Sequence, residues 1–234
     1  RCNATLPNLT SYVLKSLMSS QTSPPAASVS DAALPATMPA VTRRVYGGPE
    51  VVGVESVVRP SPKAGEVLLR VGAAGVDRST LHLLTGLPYL ARLAFGVRTP
   101  RQPVLGQQVA GEVVAVGSGV DGFAVGDRVF GTGTGTFGAY ATAAPATLAR
   151  TPAEVSDLAA ATLGVSGHTA LDAVVARGQV SAGQRVLVLG GSGAVGSFAV
   201  QLAAHLGAEV TAACSGPKRD FVQSLGASRT VDYR

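Results

Sequence analysis

Gly191-Ser192-Gly193-Ala194-Val195-Gly196 has the spacing G-x-G-x-x-G, and glycines so spaced do chemistry with the backbone rather than with side chains. In a chain with 29 glycines the pattern alone is weak. Here it follows the apolar run 186–189 and opens an amphipathic segment, the strand–turn–helix setting in which such a turn binds the linked phosphates of a dinucleotide. Gly191 is expected to permit the tight turn, Gly193 to let the backbone approach a pyrophosphate, and Gly196 to let the helix pack against the strand. The free N–H groups and dipole of a helix starting near Ala194 attract the anion, with Ser192 and Val195 completing the turn. The competing reading is a turn that only ends a strand.

The ribose discriminates between dinucleotides. Sites for the unphosphorylated cofactor usually end the second strand with Asp or Glu, about 20 residues on, to bind the 2′-OH. The corresponding run ends in Ala213-Cys214-Ser215-Gly216 without an acid, and Glu209 stands at its other end. Lys218 and Arg219 follow at once and offer charge and bidentate geometry to a 2′-phosphate. NADPH is therefore expected over NADH. The bland alternative is that both cations are simply solvated at a helix start.

Two kinds of segment must hold these residues. From Met38 to about Ala160, short apolar or alternating runs (66–71, 109–116, 127–131, 138–143) are punctuated by Gly and Pro, the mark of a compact, mostly β domain. Residues 79–96 read as helix or helical turns. After Pro152 comes a helix over 156–178, capped by Ser156 and stopped by Gly178. Then follow Arg185–Leu189, a helix over 194–206, Glu209–Cys214, a helix over 217–225 and a run at 230–233. Strands alternating with such helices predict parallel βαβ units. The expected fold class is α/β, a mostly β domain over 38–160 followed by the first half of a doubly wound parallel sheet over 161–234.

Residues 1–37 are rich in Ser, Thr, Pro and Ala and bury too little to offset their ordering entropy, so a disordered or non-native extension before a start at Met38 is expected; a transit peptide is the alternative. The sequons at Asn3 and Asn8 matter only in a secreted chain. Apolar residues make up 46% and charged residues 14% of the chain, a globular composition. The net charge is +5, but Lys and Arg are scattered singly among few aromatics, so no nucleic-acid partner is expected. No stretch approaches the roughly 18 apolar residues that span a bilayer, so no membrane partner is expected either. Cys2 and Cys214 are too few for a disulfide framework or a thiolate metal site, and a reducing, cytoplasmic compartment fits.

A longer series of landmarks runs from about Thr42 to Arg234. It includes Tyr46-Gly47-Gly48-Pro49-Glu50-Val51, Ala73-Ala74-Gly75-Val76, Val109-Ala110-Gly111, Gly126-Asp127-Arg128-Val129, the 191–196 turn, Leu225-Gly226-Ala227 and Val231-Asp232-Tyr233. Together they resemble the medium-chain dehydrogenase/reductase superfamily, in its zinc-free quinone oxidoreductase-like branch. The resemblance implies a GroES-like domain followed by a Rossmann domain. It further implies a cofactor set of Gly191–Gly196, Ser215, Lys218, Arg219 and Tyr233, with Thr169 at a position that contacts the nicotinamide carboxamide. Zinc members of the superfamily place Cys where Asp77 stands and His-Glu where Gln107-Gln108 stand. Amides do not replace thiolate and imidazole around tetrahedral Zn²⁺, so no metal is expected.

Without a metal, the resemblance implies hydride transfer from NADPH to a quinone or enone, the protein positioning the reactants and protonating the developing enolate. His82 is nominated as proton donor, against the reading of a half-buried helix residue. Asp77 is placed in the same catalytic set, and Tyr89 is a weaker candidate for the pocket wall. His168 and His205 read as structural, and Cys214 as a strand residue. An enoyl thioester reductase is the alternative, and a non-catalytic nucleotide-binding fragment a third reading. The chain stops before the second half of a Rossmann domain, so the strand at 186–189 is expected to be an open edge and this chain alone to aggregate or lack activity. A homodimer of the full-length form is left open.

Overall fold

The computed structural model describes residues 34–233, so the sequons, Cys2, Arg234 and most of the N-terminal extension lie outside the described residues. The described chain falls into two compact units, one ending at Gly164 and the other beginning at Val165.

The first unit is built on antiparallel strands. β1 (Thr37–Arg43) pairs with β2 (Val52–Val58) in a two-stranded sheet. β3 (Val67–Ala73), β4 (Gln108–Val116), β5 (Arg128–Thr132), β6 (Tyr140–Ala143) and β7 (Leu148–Arg150) form a second sheet in the order β6-β3-β4-β5-β7. β4 is almost continuously buried because both its faces are covered. Val109 and Val113 join Val67, Leu69 and Val129 on one side, while Val114 and Ala115 join Leu68 in a second cluster. Side chains alternate across a pleat, so a central strand covered on both sides must be apolar at nearly every position.

Residues just before Met38 also belong to the first unit. Thr37 pairs with Val58, and Arg59 donates its backbone N–H to Ala36 O (3.0 Å) and Nε to Pro35 O (2.9 Å). Segment 79–96 is not one helix. An α-helix spans Arg78–Thr85 and stops where Gly86 turns left-handed (φ 63°), and Pro88, which has no N–H, precedes two short helical turns at Tyr89–Ala91 and Arg92–Phe95. Segment 156–178 is also broken. Ser156 caps the Asp157–Ala160 helix by accepting from Ala159 N at 3.3 Å, but wide π turns occupy Leu163–Gly167 and Asp172–Arg177 on either side of His168–Leu171. Gly164 lies against Gly131, whose carbonyl oxygen would sit 2.2 Å from any Cβ there, so packing decides the local path.

The second unit is a parallel sheet in the order β10-β9-β8, with β8 at Arg185–Leu189, β9 at Glu209–Cys214 and β10 at Arg229–Asp232. The Ala194–His205 helix connects β8 to β9, and the Arg219–Ser224 helix connects β9 to β10. Val188, Val200, Val210, Ala212, Cys214 and Val222 form the core between sheet and helices. Each fully buried valine contributes about 1.5–3 kcal/mol. Leu187 and Leu189 point to the other face and are 61% and 77% exposed, so among the described residues β8 is an edge strand with an open apolar face. No helix among the described residues is long and apolar enough to cross a membrane.

Candidate functional site

The turn after β8 is tightly packed around its glycines. Gly190, just before the 191–196 motif, is left-handed (φ 72°). Gly191 is restricted from the other side, because a Cβ there would lie 2.8 Å from that of Ala212 and 3.3 Å from Val222 Cγ1, and its N–H donates to Ala213 O at 3.0 Å. Gly196 packs the helix onto the turn so closely that a Cβ would meet Gly190 O at 2.2 Å and Gly191 Cα at 3.0 Å. Gly193 N donates to Gly190 O (2.8 Å), closing the turn, and a Cβ on Gly193 would meet only Gly190 O, at 3.2 Å. Gly193, Ala194 and Val195 are exposed. Gly193 caps the helix with no side chain, so the amides of Ala194, Val195 and Gly196 are the donors that a helix start leaves without intrahelical partners. That concave set of N–H groups suits a pyrophosphate.

The remaining cofactor candidates follow the carboxyl ends of the neighbouring strands, and the sheet brings them to the same edge. Leu189 is in register with Ala213, and Cys214 with Asp232, so the 190–196 turn, Ser215–Arg219 and Tyr233 all leave the sheet on one side. Open α/β sheets bind ligands there. Ser215 is buried, whereas Lys218, Arg219 and Tyr233 are exposed. The register also delivers a carboxylate that strand-end reading missed. Asp232 Oδ2 lies 3.8 Å from Arg219 Nη2 and would be 2.9 Å from a Cβ on Gly216. Asp232 sits on the third strand, and only the β9–β10 pairing shows that it faces the end of the second.

Thr169 is exposed, and its hydroxyl donates to Val165 O at 2.7 Å, which leaves its lone pairs free to accept. His168 and His205 are both exposed helix residues, and Cys214 is fully buried in β9.

In the first unit Asp77 is an N-cap. Its Oδ1 accepts from Thr80 N (3.1 Å) in a capping box and from Ser79 Oγ, while Oδ2 accepts from the buried Gln108 Nε2 at 3.0 Å. Asp77 and Gln108 thus form a carboxylate–amide pair. Both oxygens accept hydrogen bonds, which ties Asp77 to the start of the helix that carries His82 and to β4. His82 is exposed, not half-buried, and its Nδ1 lies 2.7 Å from Leu87 O. A carbonyl only accepts, so Nδ1 carries the hydrogen and Nε2 is the nitrogen left for chemistry. Tyr89 is 72% exposed and stands beside Arg92 with Cζ 4.9 Å from its ring. A cavity of about 250 Å³ in this unit is lined by Arg43, Leu83, Phe95 and Arg101, among others. The sequence carried no periodic signal for them.

Comparison with known proteins bears on the whole arrangement. Residues 63–215 match the alcohol dehydrogenase GroES-like domain. A chloroplast envelope quinone oxidoreductase homolog from Arabidopsis thaliana is 37% identical over 84% of this chain and 61% of its own length. An NADPH-dependent alkenal/one oxidoreductase from the same plant is 35% identical over 94% of this chain and 59% of its own. The solved quinone oxidoreductase of Coxiella burnetii superposes with a TM-score of 0.76 at 28% identity, covering 84% of this chain and 62% of that one. The chain thus spans about three fifths of the length of these relatives.

Proposed function

This chain belongs to the alcohol dehydrogenase GroES-like family, in the quinone oxidoreductase-like branch of the medium-chain dehydrogenases/reductases, and on that footing we propose a zinc-independent reductase that transfers hydride from NADPH to a quinone, an enone or a similar conjugated carbonyl compound. The observation that carries the reading is the shared sheet edge, where a glycine turn with free amides and two exposed cations follow adjacent strand ends. Bound NADPH supplies the hydride, and one proton completes the two-electron reduction.

The chain's own residues divide the work. The amides of Ala194, Val195 and Gly196 hold the pyrophosphate, with Gly191, Ser192 and Gly193 shaping the approach. Ser215, Lys218, Arg219 and Tyr233 surround the adenosine ribose, the two cations taking its 2′-phosphate. The Thr169 oxygen accepts from the carboxamide. His82, as imidazolium, gives the proton from Nε2 to the developing enolate oxygen, and Asp77 holds its helix.

Cofactor titration tests this directly. NADPH is expected to bind saturably, and the double variant Lys218→Ala/Arg219→Ala to bind it about tenfold or more weakly, since a charged contact to phosphate is worth roughly 1.5–3 kcal/mol. NADH affinity should change little. Absence of saturable NADPH binding would remove the reading. Turnover with an enoyl thioester but with neither a quinone nor an enone would transfer it to the thioester class.

A further inference from the structure

The cavity in the first unit has an unusual electrostatic make-up. Leu83, Phe95, Val104 and Leu105 give it an apolar wall, Arg43 and Arg101 supply two cations, and no carboxylate lines it. Arg43 is only 3% exposed. It donates Nε to Leu83 O and Nη1 to Gln102 O, each at 2.9 Å, and Nη2 has no hydrogen-bond partner among the described residues. Successive residues of an extended strand face opposite ways. The neighbouring Arg44 accordingly turns outward and pairs with Glu55 at 2.6 Å, leaving Arg43 without an anion. Arg101 gives Nη1 to Ala94 O (3.2 Å) and likewise meets no carboxylate among the described residues. A buried guanidinium normally has a counter-charge, because desolvating it alone is costly. Burial accordingly holds Arg43 below its ordinary value, opposed by the nearby Tyr46. Cations of one sign in a low-dielectric recess draw an anion into it.

We infer that this cavity holds the anionic end of the substrate, Arg43 pairing with a terminal carboxylate while Leu83, Phe95, Val104 and Leu105 enclose the alkyl stretch behind it. This rests on the reductase reading and narrows it to conjugated carbonyl compounds that carry a carboxylate. The competing role for Arg43 is a clamp that only ties β1 to the 78–85 helix and the 102 loop.

The test uses 6-oxohept-4-enoate and its methyl ester, an enone pair that differs in charge and in one methyl group. Calorimetric titration of the 234-residue chain, without cofactor, is expected to show the carboxylate bound about tenfold or more tightly than the ester. Arg43→Lys should keep part of that preference and Arg43→Gln should lose it. If Arg43→Gln does not fold, the wild-type comparison and the folded Arg101→Gln variant, expected to show a reduced preference, still decide. Equal affinity for acid and ester, binding of neither, or a preference that survives in Arg43→Gln would overturn the inference. Cofactor binding is read separately. Absence of saturable NADPH binding counts against the reductase reading, while a calorimetric preference for the acid would still support the anion site.

Discussion

Alanine substitution at three glycines of one turn should separate cofactor approach from packing. At Gly196 the added methyl would lie 2.2 Å from Gly190 O, 2.8 Å from Gly190 C and 3.0 Å from Gly191 Cα, all backbone atoms of a turn already closed by its own hydrogen bond. Nothing flexible can yield, so Gly196→Ala should cost about 1–3 kcal/mol or more by overpacking. A loss of that size lowers the midpoint of a chain of this length by roughly 2–4 °C per kcal/mol. At Gly193 the only neighbour is Gly190 O at 3.2 Å and φ is −81°, so alanine fits the backbone and needs a shift of only a few tenths of an ångström. Its methyl projects instead where a pyrophosphate must approach. Gly193→Ala is therefore expected to keep its melting temperature within about 1–2 °C but to bind NADPH about tenfold more weakly. Gly191→Ala, pressed mainly by the Ala212 and Val222 side chains at 2.8 and 3.3 Å, should fall between the two in stability. Scanning calorimetry and titration of NADPH fluorescence read both quantities on each variant. If Gly193→Ala loses as much stability as Gly196→Ala, or if neither changes cofactor affinity, the division of labour among these glycines is refuted.

Three further outcomes follow from the same geometry. Asp77→Ala removes a cap and the Gln108 contact together, so urea denaturation should show a loss of about 1–3 kcal/mol. His82→Phe should lower kcat for enone reduction by about a hundredfold or more while NADPH affinity stays constant; an unchanged kcat would return His82 to a surface role. Glu55 is held below its ordinary value, first by the Arg44 hydrogen bond and against a small opposing effect of burial. Its folded-state value is depressed, so its contribution to stability is present above the unfolded carboxyl range, about pH 4, and fades as pH falls through the folded value. In Glu55→Gln the melting temperature should therefore decline less between about pH 5 and 3, and added salt should shrink the difference because the pair is exposed.

The α/β class and the glycine turn after β8 were legible because each is a local signal. The β9 span Glu209–Cys214 is an apolar run bounded by turn residues, and the 191–196 spacing follows an apolar run and opens a helix, so chain order alone identifies both. The Ser156 cap was readable for the same reason, since its partner lies three residues away. Helical periodicity, by contrast, could not foresee the breaks in 156–178, where the contact of Gly164 with Gly131 intervenes.

Everything that depends on distant chain segments waited for the fold. Strand register put Asp232 beside Arg219, and packing between β4 and the 78–85 helix set Gln108 Nε2 against Asp77 Oδ2. Arg43 and Arg44 are indistinguishable as letters, yet one lies on the surface against Glu55 and the other is buried beside an apolar recess. Spacing along a chain encodes neighbours within a turn or two, because backbone geometry repeats over that range. Which charge meets which, and which is left alone, is set by packing between elements far apart in sequence.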